Sequence, residues 1–174
     1  LLAMCAPDPR KNADGLIGAL AVLRAWGIRF PPLRMVMSGS EAARAATLAT
    51  VAALGLEEHV TLLQDVTDEE LRALYRDAAA LVFPSGYEGF GLPLAEAMSS
   101  GLPVVGVHNS SQPEVIGDAG ITATSGAPIE LARALTGVCD GSIDLQALKA
   151  RGRERAATFT WEAVAARFAL AVEA

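Results

Sequence analysis

Two glutamates flank a glycine-rich stretch that leads from a predicted strand into a predicted helix. Residues 83–98 read FPSGYEGFGLPLAEAM, with Glu88 in the loop and Glu96 about one turn into the helix. Carboxylates repel phosphate, so these two are suited to accept hydrogen bonds from neutral hydroxyls, such as those of a sugar or a ribose. The alternative is that Glu96 only complements the helix N-terminus and the glycines form an ordinary turn.

The backbone at the start of this helix predicts an anion site. Pro93 stands at or near the first helical position, where a missing N–H costs nothing. The amides of Phe90, Gly91 and Leu92 then point out of the helix, and free amides at the positive end of a helix dipole suit a diphosphate. Gly89 and Gly91 let a ligand approach the backbone closely. We therefore expect residues 89–92 to bind a phosphate-bearing ligand.

Arg10 and Lys11 form a second candidate binding element, after the first predicted strand. Cations at this end of a strand can neutralise a diphosphate and stabilise a leaving group, a task that a metal performs in other enzymes. A solvated loop is the alternative for these two residues taken alone. The sequence has no Asp-x-Asp pair and no His/Asp cluster, so we expect neither a metal nor another cofactor.

The elements that must position these residues are short apolar runs alternating with helical patterns. The runs are continuous, as in strands covered on both faces, and occupy residues 1–6, 33–37, 60–63, 80–83, 103–107 and 121–123. Helical patterns occupy residues 14–26, 41–54, 68–78, 93–100, 128–138, 144–158 and 161–172. This alternation predicts an α/β fold with a doubly wound, Rossmann-like parallel sheet of about six strands. Ligands of such sheets bind outside the carboxyl ends of the strands.

Composition narrows the classes of protein and partner. The 174 residues suit one domain, residues 1–174, and 52% apolar residues supply a core. A formal net charge of -6 argues against nucleic acid and anionic membranes as partners. Cys5 and Cys139 lack metal-ligand spacing and are interpreted as reduced thiols of a cytosolic protein. No apolar run approaches the roughly 20 residues of a membrane span. Because the sequence opens inside a predicted strand, we expect an excised domain.

These motifs resemble the retaining glycosyltransferases of family 4, which have the GT-B fold. The likeness covers residues 83–98 with the paired glutamates, and continues through GLPVV at 101–105, NSSQPEV at 109–115 and GDAG at 117–120. It implies the C-terminal, donor-binding domain of such an enzyme, with the N-terminal acceptor domain absent. It also implies transfer of a hexose from a nucleoside-diphosphate sugar, with bacterial mannosyltransferases of surface polysaccharide synthesis as similar members. GDP-mannose is then the expected donor, and UDP-glucose is the alternative.

The same resemblance assigns roles to individual residues. Glu88 would contact the hydroxyls of the hexose, and Glu96 would hold the ribose hydroxyls. Lys11 matches the basic motif of the family, whereas the arginine that many members carry a few residues earlier is absent or replaced by Arg10. The implied catalytic residues are Glu88 and Lys11. The implied donor-binding residues are Arg10, Lys11, Glu88, Gly89, Phe90, Gly91, Leu92 and Glu96.

Further residues differ from the family pattern or extend it. Gln64 stands where the family often has glycine, so its side chain is expected to alter contacts with the nucleobase. The amides of Ser110, Ser111 and Gln112 are expected to help close the sugar pocket. Trp161 falls in the part that resembles the closing helix of the family, where we expect it to anchor packing.

Two other functions are compatible with the motifs. One is a nucleotide-sugar-binding module without catalysis, and the other is a GT-B nucleotide-sugar epimerase, although the Glu-Gly-Phe-Gly segment is not expected in an epimerase. A phosphorylase would need a lysine motif for a pyridoxal cofactor, and a dehydrogenase would need Gly-x-Gly-x-x-Gly after the first strand. The expected partners are a nucleotide sugar and, through the missing domain, an acceptor sugar or lipid-linked glycan. We expect a cytoplasmic location, with any contact to the inner membrane made through that domain, and no transfer by the isolated fragment.

Overall fold

The apolar runs form six parallel strands, as the sequence predicts. The computed structural model describes residues 1–173, and the side chains of Val164, Arg167, Phe168, Ala171 and Glu173 lie outside its description. The strands are β1 (Leu2–Cys5), β2 (Leu33–Met37), β3 (Val60–Leu63), β4 (Leu81–Val82), β5 (Val104–Val107) and β6 (Ile121–Ala123). β2, β3 and β6 have the predicted bounds, whereas β1, β4 and β5 are one or two residues shorter than the apolar runs that contain them.

The α-helices lie between the strands or follow the last one, and all but one of them begin and end within two residues of the predicted bounds. They are α1 (Ala13–Ala25), α2 (Glu41–Ala53), α3 (Asp68–Asp77), α4 (Leu92–Ser99), α5 (Gln112–Ile116), α6 (Pro128–Asp140), α7 (Leu145–Ala156) and α8 (Trp161–Glu173). Two elements were not predicted: the 3-10 turn Pro9–Lys11 and the five-residue helix α5. Both are too short to display a helical period in the sequence.

Successive residues of a strand point alternately into two hydrophobic cores, one on each face of the sheet. In β1, Ala3 and Cys5 join the core formed with α1, α2 and α6. Leu2 points to the other face, where α3, α4 and α5 contribute residues such as Leu74 and Leu94. This period of two on strands buried on both faces explains their continuous apolar runs. Burial also raises the pKa of the Cys5 thiol to about 12, so Cys5 is a protonated core residue at neutral pH.

The strand order β3-β2-β1-β4-β5-β6 defines where a ligand can enter. The chain leaves β1 toward β2 on one side, while β4 pairs with β1 on the other, with Leu2 opposite Leu81 and Ala3 opposite Val82. The direction of winding therefore reverses between β1 and β4. In open α/β sheets, the crevice at the carboxyl ends of the strands at this point is the usual ligand site.

The structure differs from the sequence-based expectation at the start of α8. Trp161, expected to anchor packing, is 86% exposed. Phe159 instead packs against the core that contains α4. The chain turns at Thr160, whose hydroxyl accepts from the Ala163 amide at 3.2 Å and so caps α8. Because of this turn, the Phe159 ring faces the core, whereas the Trp161 ring, two residues later, faces solvent. Within residues 1–173 no helix combines the length and apolarity needed to cross a bilayer.

Candidate functional site

Lys11 and Glu88 meet across the crevice between β1 and β4. Lys11 Nζ lies 2.6 Å from Glu88 Oε1, although the two residues are 77 positions apart in the chain. Their side chains are 29% and 14% exposed, so the pair is half-buried and still open to a ligand. The Lys11 ammonium also lies 5.8 Å from the centre of the buried Phe83 ring. The structure thus joins the two motifs that carry the predicted catalytic residues.

Asn12, the residue after Lys11, anchors the loop that follows β1. Asn12 has a left-handed conformation with φ of 53°. Its side-chain amide donates to the carbonyls of Pro84 at 3.2 Å and Gly126 at 2.8 Å. One asparagine therefore ties the loop after β1 to the loops after β4 and β6. No local pattern indicates this role, because the partners are 72 and 114 residues away.

Arg10 contributes differently from Lys11. Its guanidinium pairs with Asp8, with Nη2 2.6 Å from Oδ2, and the arginine side chain is 66% exposed. Hydrogen bonds from Arg10 hold the pKa of the Asp8 carboxyl below its usual value. The backbone carbonyl of Arg10 accepts from the Ser85 hydroxyl at 3.0 Å and from the Gly86 amide at 2.6 Å. Arg10 thus supports the loop after β4, and binding of a ligand by its side chain stays a prediction.

Side chains after β5 support the loop after β4 from the other side. Gln112 is fully buried, and its amide oxygen accepts from the Val107 amide at 3.0 Å while its nitrogen donates to the Ser85 carbonyl at 2.7 Å. The Glu88 amide donates to the Ser110 hydroxyl at 3.0 Å. The role expected of the amides of Ser110, Ser111 and Gln112 in closing a sugar pocket stays a prediction. The structure shows in addition that the side chains of Ser110 and Gln112 hydrogen-bond the backbone of the loop after β4.

The N-terminus of α4 presents free backbone donors at the same edge of the sheet. Among residues 1–173, no acceptor receives a hydrogen bond from the amides of Phe90, Gly91 or Leu92. Gly91 caps the helix with φ of 92°, and a Cβ there would lie 3.2 Å from a methyl group of Leu94. Glycine is therefore required at this position. Pro93 is the second helical residue, so the predicted arrangement for an anion is present.

Glu96 lies in the second turn of α4 and is oriented by a tyrosine that the sequence analysis did not identify. The buried Tyr75 hydroxyl, on α3, donates to Glu96 Oε2 at 2.9 Å. Burial, and then the bond to Glu96, raises the pKa of Tyr75, so the hydroxyl remains a donor. The other carboxylate oxygen, Oε1, has no hydrogen-bond partner in the described part of the chain. It is thus available to a ligand hydroxyl.

Gln64 belongs to a neighbouring concavity at the carboxyl ends of β2 and β3. Its amide nitrogen donates to the Gly39 carbonyl at 3.3 Å, and its oxygen accepts from Arg44. The concavity has a volume of about 320 Å³ and is lined by Val36, Met37, Ser38, Gly39, Gln64, Asp65 and Val66. The side chain at position 64 is therefore fixed at the rim of a space next to the crevice, and its effect on a nucleobase stays a prediction.

Positive charge at the crevice comes from Lys11 and from the N-terminus of α4. Within the described residues, no group of three or more His, Cys, Asp and Glu side chains is arranged to hold a metal ion. A lysine and a set of free amides can bind a doubly charged phosphate group, while the two carboxylates can accept from hydroxyls. The arrangement therefore fits a ligand that carries both groups.

Comparisons with known proteins identify the family of this chain. The model of the family "Glycosyl transferases group 1" matches residues 3–155. O-antigen chain mannosyltransferase B of Escherichia coli is 36% identical over 157 residues, which cover 89% of this chain and 40% of that protein. MMP alpha-(1->4)-mannosyltransferase of Mycolicibacterium hassiacum is 36% identical over 172 residues, covering 96% and 41%.

A solved structure extends the likeness to the fold. Sucrose-phosphate synthase from Thermosynechococcus elongatus superposes with a TM-score of 0.82 and 26% identity, covering 99% of this chain and 44% of that one. The chain thus spans about two fifths of the length of the relatives it matches.

Proposed function

This chain belongs to the group 1 glycosyl transferases and has the Rossmann-like fold of a GT-B glycosyltransferase, and from that premise we propose that it binds the nucleoside-diphosphate-sugar donor of a retaining hexosyltransferase. The observation that carries the proposal is the meeting of Lys11 and Glu88 in the crevice between β1 and β4. The free amides of α4 stand at the same edge of the sheet. Phosphate and sugar hydroxyls thus each have a suitable partner.

Charge stabilisation of the leaving diphosphate is the task we assign to Lys11 and the start of α4. Negative charge develops on the diphosphate as its bond to the sugar breaks, and fixed positive groups lower the free energy of that state. A lysine ammonium has three donors, so Lys11 can bond phosphate while it still donates to Glu88. Glu88, held by its own backbone contacts, accepts from hydroxyls of the hexose.

Recognition of the nucleotide is the task we assign to Glu96. Tyr75 fixes one carboxylate oxygen, so the other is presented in a defined direction and can accept from ribose hydroxyls. Two of the matched relatives are mannosyltransferases by name, which supports a GDP-mannose donor, with UDP-glucose as the alternative. We further propose that a preceding domain holds the acceptor, a sugar or lipid-linked glycan, because the match covers only 40% and 41% of these two relatives.

Nucleotide binding is expected to be independent of metal and dependent on Lys11. Calorimetric titration of GDP and of UDP should give the same affinity with and without EDTA. Lys11→Ala should weaken binding by about 1.5–3 kcal/mol, the range for a hydrogen bond to a charged group. Lys149→Ala, which removes the other lysine of the chain from α7, is the matched control and should bind like the wild type. Loss of binding in EDTA would contradict the role given to Lys11 and the helix.

Substitution of each glutamate should weaken binding of a different ligand. Glu96→Ala should weaken binding of the bare nucleotide by roughly 1–3 kcal/mol, because the charge-assisted bond to ribose is lost. Glu88→Ala should leave the bare nucleotide nearly unaffected and weaken the intact nucleotide sugar. The exposed Glu154 on α7 supplies the control variant Glu154→Ala. Equal weakening of the bare nucleotide by both site variants would show that the division between ribose and hexose is wrong.

A further inference from the structure

An aromatic contact joins the loop that carries the free amides to the segment after α7. The rings of Phe90 and Phe159 meet edge to face, with centroids 5.3 Å apart and an angle of 88° between the planes. Phe159 lies beyond residue 155, where the match to the family model ends. Pairs with this geometry are stabilising beyond the area that they bury. The Phe90 ring, 39% exposed, therefore has a specific partner in a distant part of the chain.

Contacts with Arg155 and with the core hold the Phe159 ring in place. The Arg155 guanidinium lies 5.1 Å from the centre of the Phe159 ring. The same guanidinium donates to the Val115 carbonyl at 3.2 Å and to the Glu114 carbonyl, both in α5. The Phe159 ring also packs against the core that contains α4. Its position is thus fixed by two helices that flank the site.

The backbone of the loop is also bound by Ser111, the residue directly before α5. The Ser111 hydroxyl lies 3.1 Å from the Glu88 carbonyl oxygen and 3.0 Å from that of Phe90, so it can donate to either. These bonds hold the backbone, whereas the contact with Phe159 holds the side chain of Phe90. Within the part of the chain that the structure describes, the amides of Phe90, Gly91 and Leu92 make no bond of their own that would fix their direction.

We propose that Phe159, supported by Arg155, is a positioning residue that holds residues 88–92 with their amides directed at the ligand. The part of this proposal that concerns the donor rests on the proposed function, whereas the part that concerns the loop does not. Without the ring, Phe90 loses its fixed neighbour, and the free amides sample other directions. A ligand that needs those groups aligned would then have to order them as it binds.

Chymotrypsin gives a readout of the loop that needs no ligand. Well below the melting temperature, cleavage after the exposed Tyr87 and Phe90 reports local opening of the loop. Phe159→Ala should accelerate cleavage at these two sites by roughly 3- to 10-fold, given the strength of such aromatic pairs. Phe159→Tyr keeps the ring and should cleave like the wild type. Ile129→Ala, at a half-exposed site on α6, is the control for loss of apolar surface elsewhere.

Affinity for GDP, UDP and their sugar conjugates gives the second readout. Phe159→Ala should weaken the best-bound nucleotide sugar roughly 3- to 10-fold, and Phe159→Tyr should restore it. Unchanged loop cleavage in Phe159→Ala would overturn the proposal, as would a uniform rise at every site with a lowered melting temperature. Faster loop cleavage in a chain that binds none of these nucleotides even as the wild type would confirm the positioning of the loop and refute the proposed function.

Discussion

Incubated with a labelled nucleoside-diphosphate hexose and a panel of acceptors, the 174-residue chain is expected to bind the donor and transfer no sugar. Transfer requires an acceptor oxygen to be held against the anomeric carbon while the diphosphate leaves. Holding both reactants can lower the barrier by roughly 7–11 kcal/mol. The described residues include the groups to which we assign donor binding, Lys11 and the start of α4 among them, and about three fifths of the length of each relative lies outside the match. We expect this chain to show at most slow hydrolysis of the donor.

A full-length relative assayed beside the chain provides the reference rate. Calorimetry on the same sample of the chain must show donor binding, so that an inactive preparation is not mistaken for the expected result. Transfer by the chain at a rate close to that of the full-length relative would show that the acceptor site lies within these 174 residues. The proposal of a separate acceptor domain would then be wrong.

Replacement of Phe83 by alanine is expected to cost about 3–5 kcal/mol of unfolding free energy, the range for emptying a buried aromatic site. Phe83 is 1% exposed, and its amide donates to the Val105 carbonyl at 2.8 Å directly after β4. Its ring lies behind both Lys11 and Gly91. Because small domains have roughly 5–15 kcal/mol in total, this one change removes a large share of the stability.

Urea unfolding followed by circular dichroism measures this loss. Tyr87→Ala is the matched control, since Tyr87 is an aromatic residue of the same loop that is 63% exposed. Its unfolding free energy should change by no more than about 0.5 kcal/mol, as for ordinary surface sites. A loss below about 1 kcal/mol for Phe83→Ala would mean that the surrounding core closes over the gap, and that the ring is not a fixed support of the site.

Local features of the site were predictable because their causes act within a few residues. The strand-loop-helix transition around Glu88 and Glu96, the glycine at position 91 and the proline after it follow from turn chemistry and helix capping. Thr67 and Glu70 have the three-residue spacing of a capping box, and the structure contains one at the start of α3. The resemblance to glycosyltransferases rested on this same local information and is confirmed by the family match.

Contacts between distant segments were decided by the tertiary structure. That Tyr75 orients Glu96, or that Phe159 rather than Trp161 turns inward, depends on how α3, α4 and the segment after α7 pack on one face of the sheet. Side chains of both types occur at helix ends in exposed and buried settings alike, so residue type does not distinguish them. The expectation for Trp161 failed for this reason.

The sequence by itself determined the strands, the longer helices, the fold class and the two motifs, whereas only the tertiary structure decided that the motifs form one site. Periodicity and turn residues act over short stretches of chain, and they specify which segments become strands, helices and loops. The order of the strands is a property of the whole sheet, in which β4 pairs with β1 although β2 and β3 lie between them in the chain. That pairing places Lys11 against Glu88 across 77 residues of sequence, because the carboxyl ends of neighbouring parallel strands open at the same edge of a sheet.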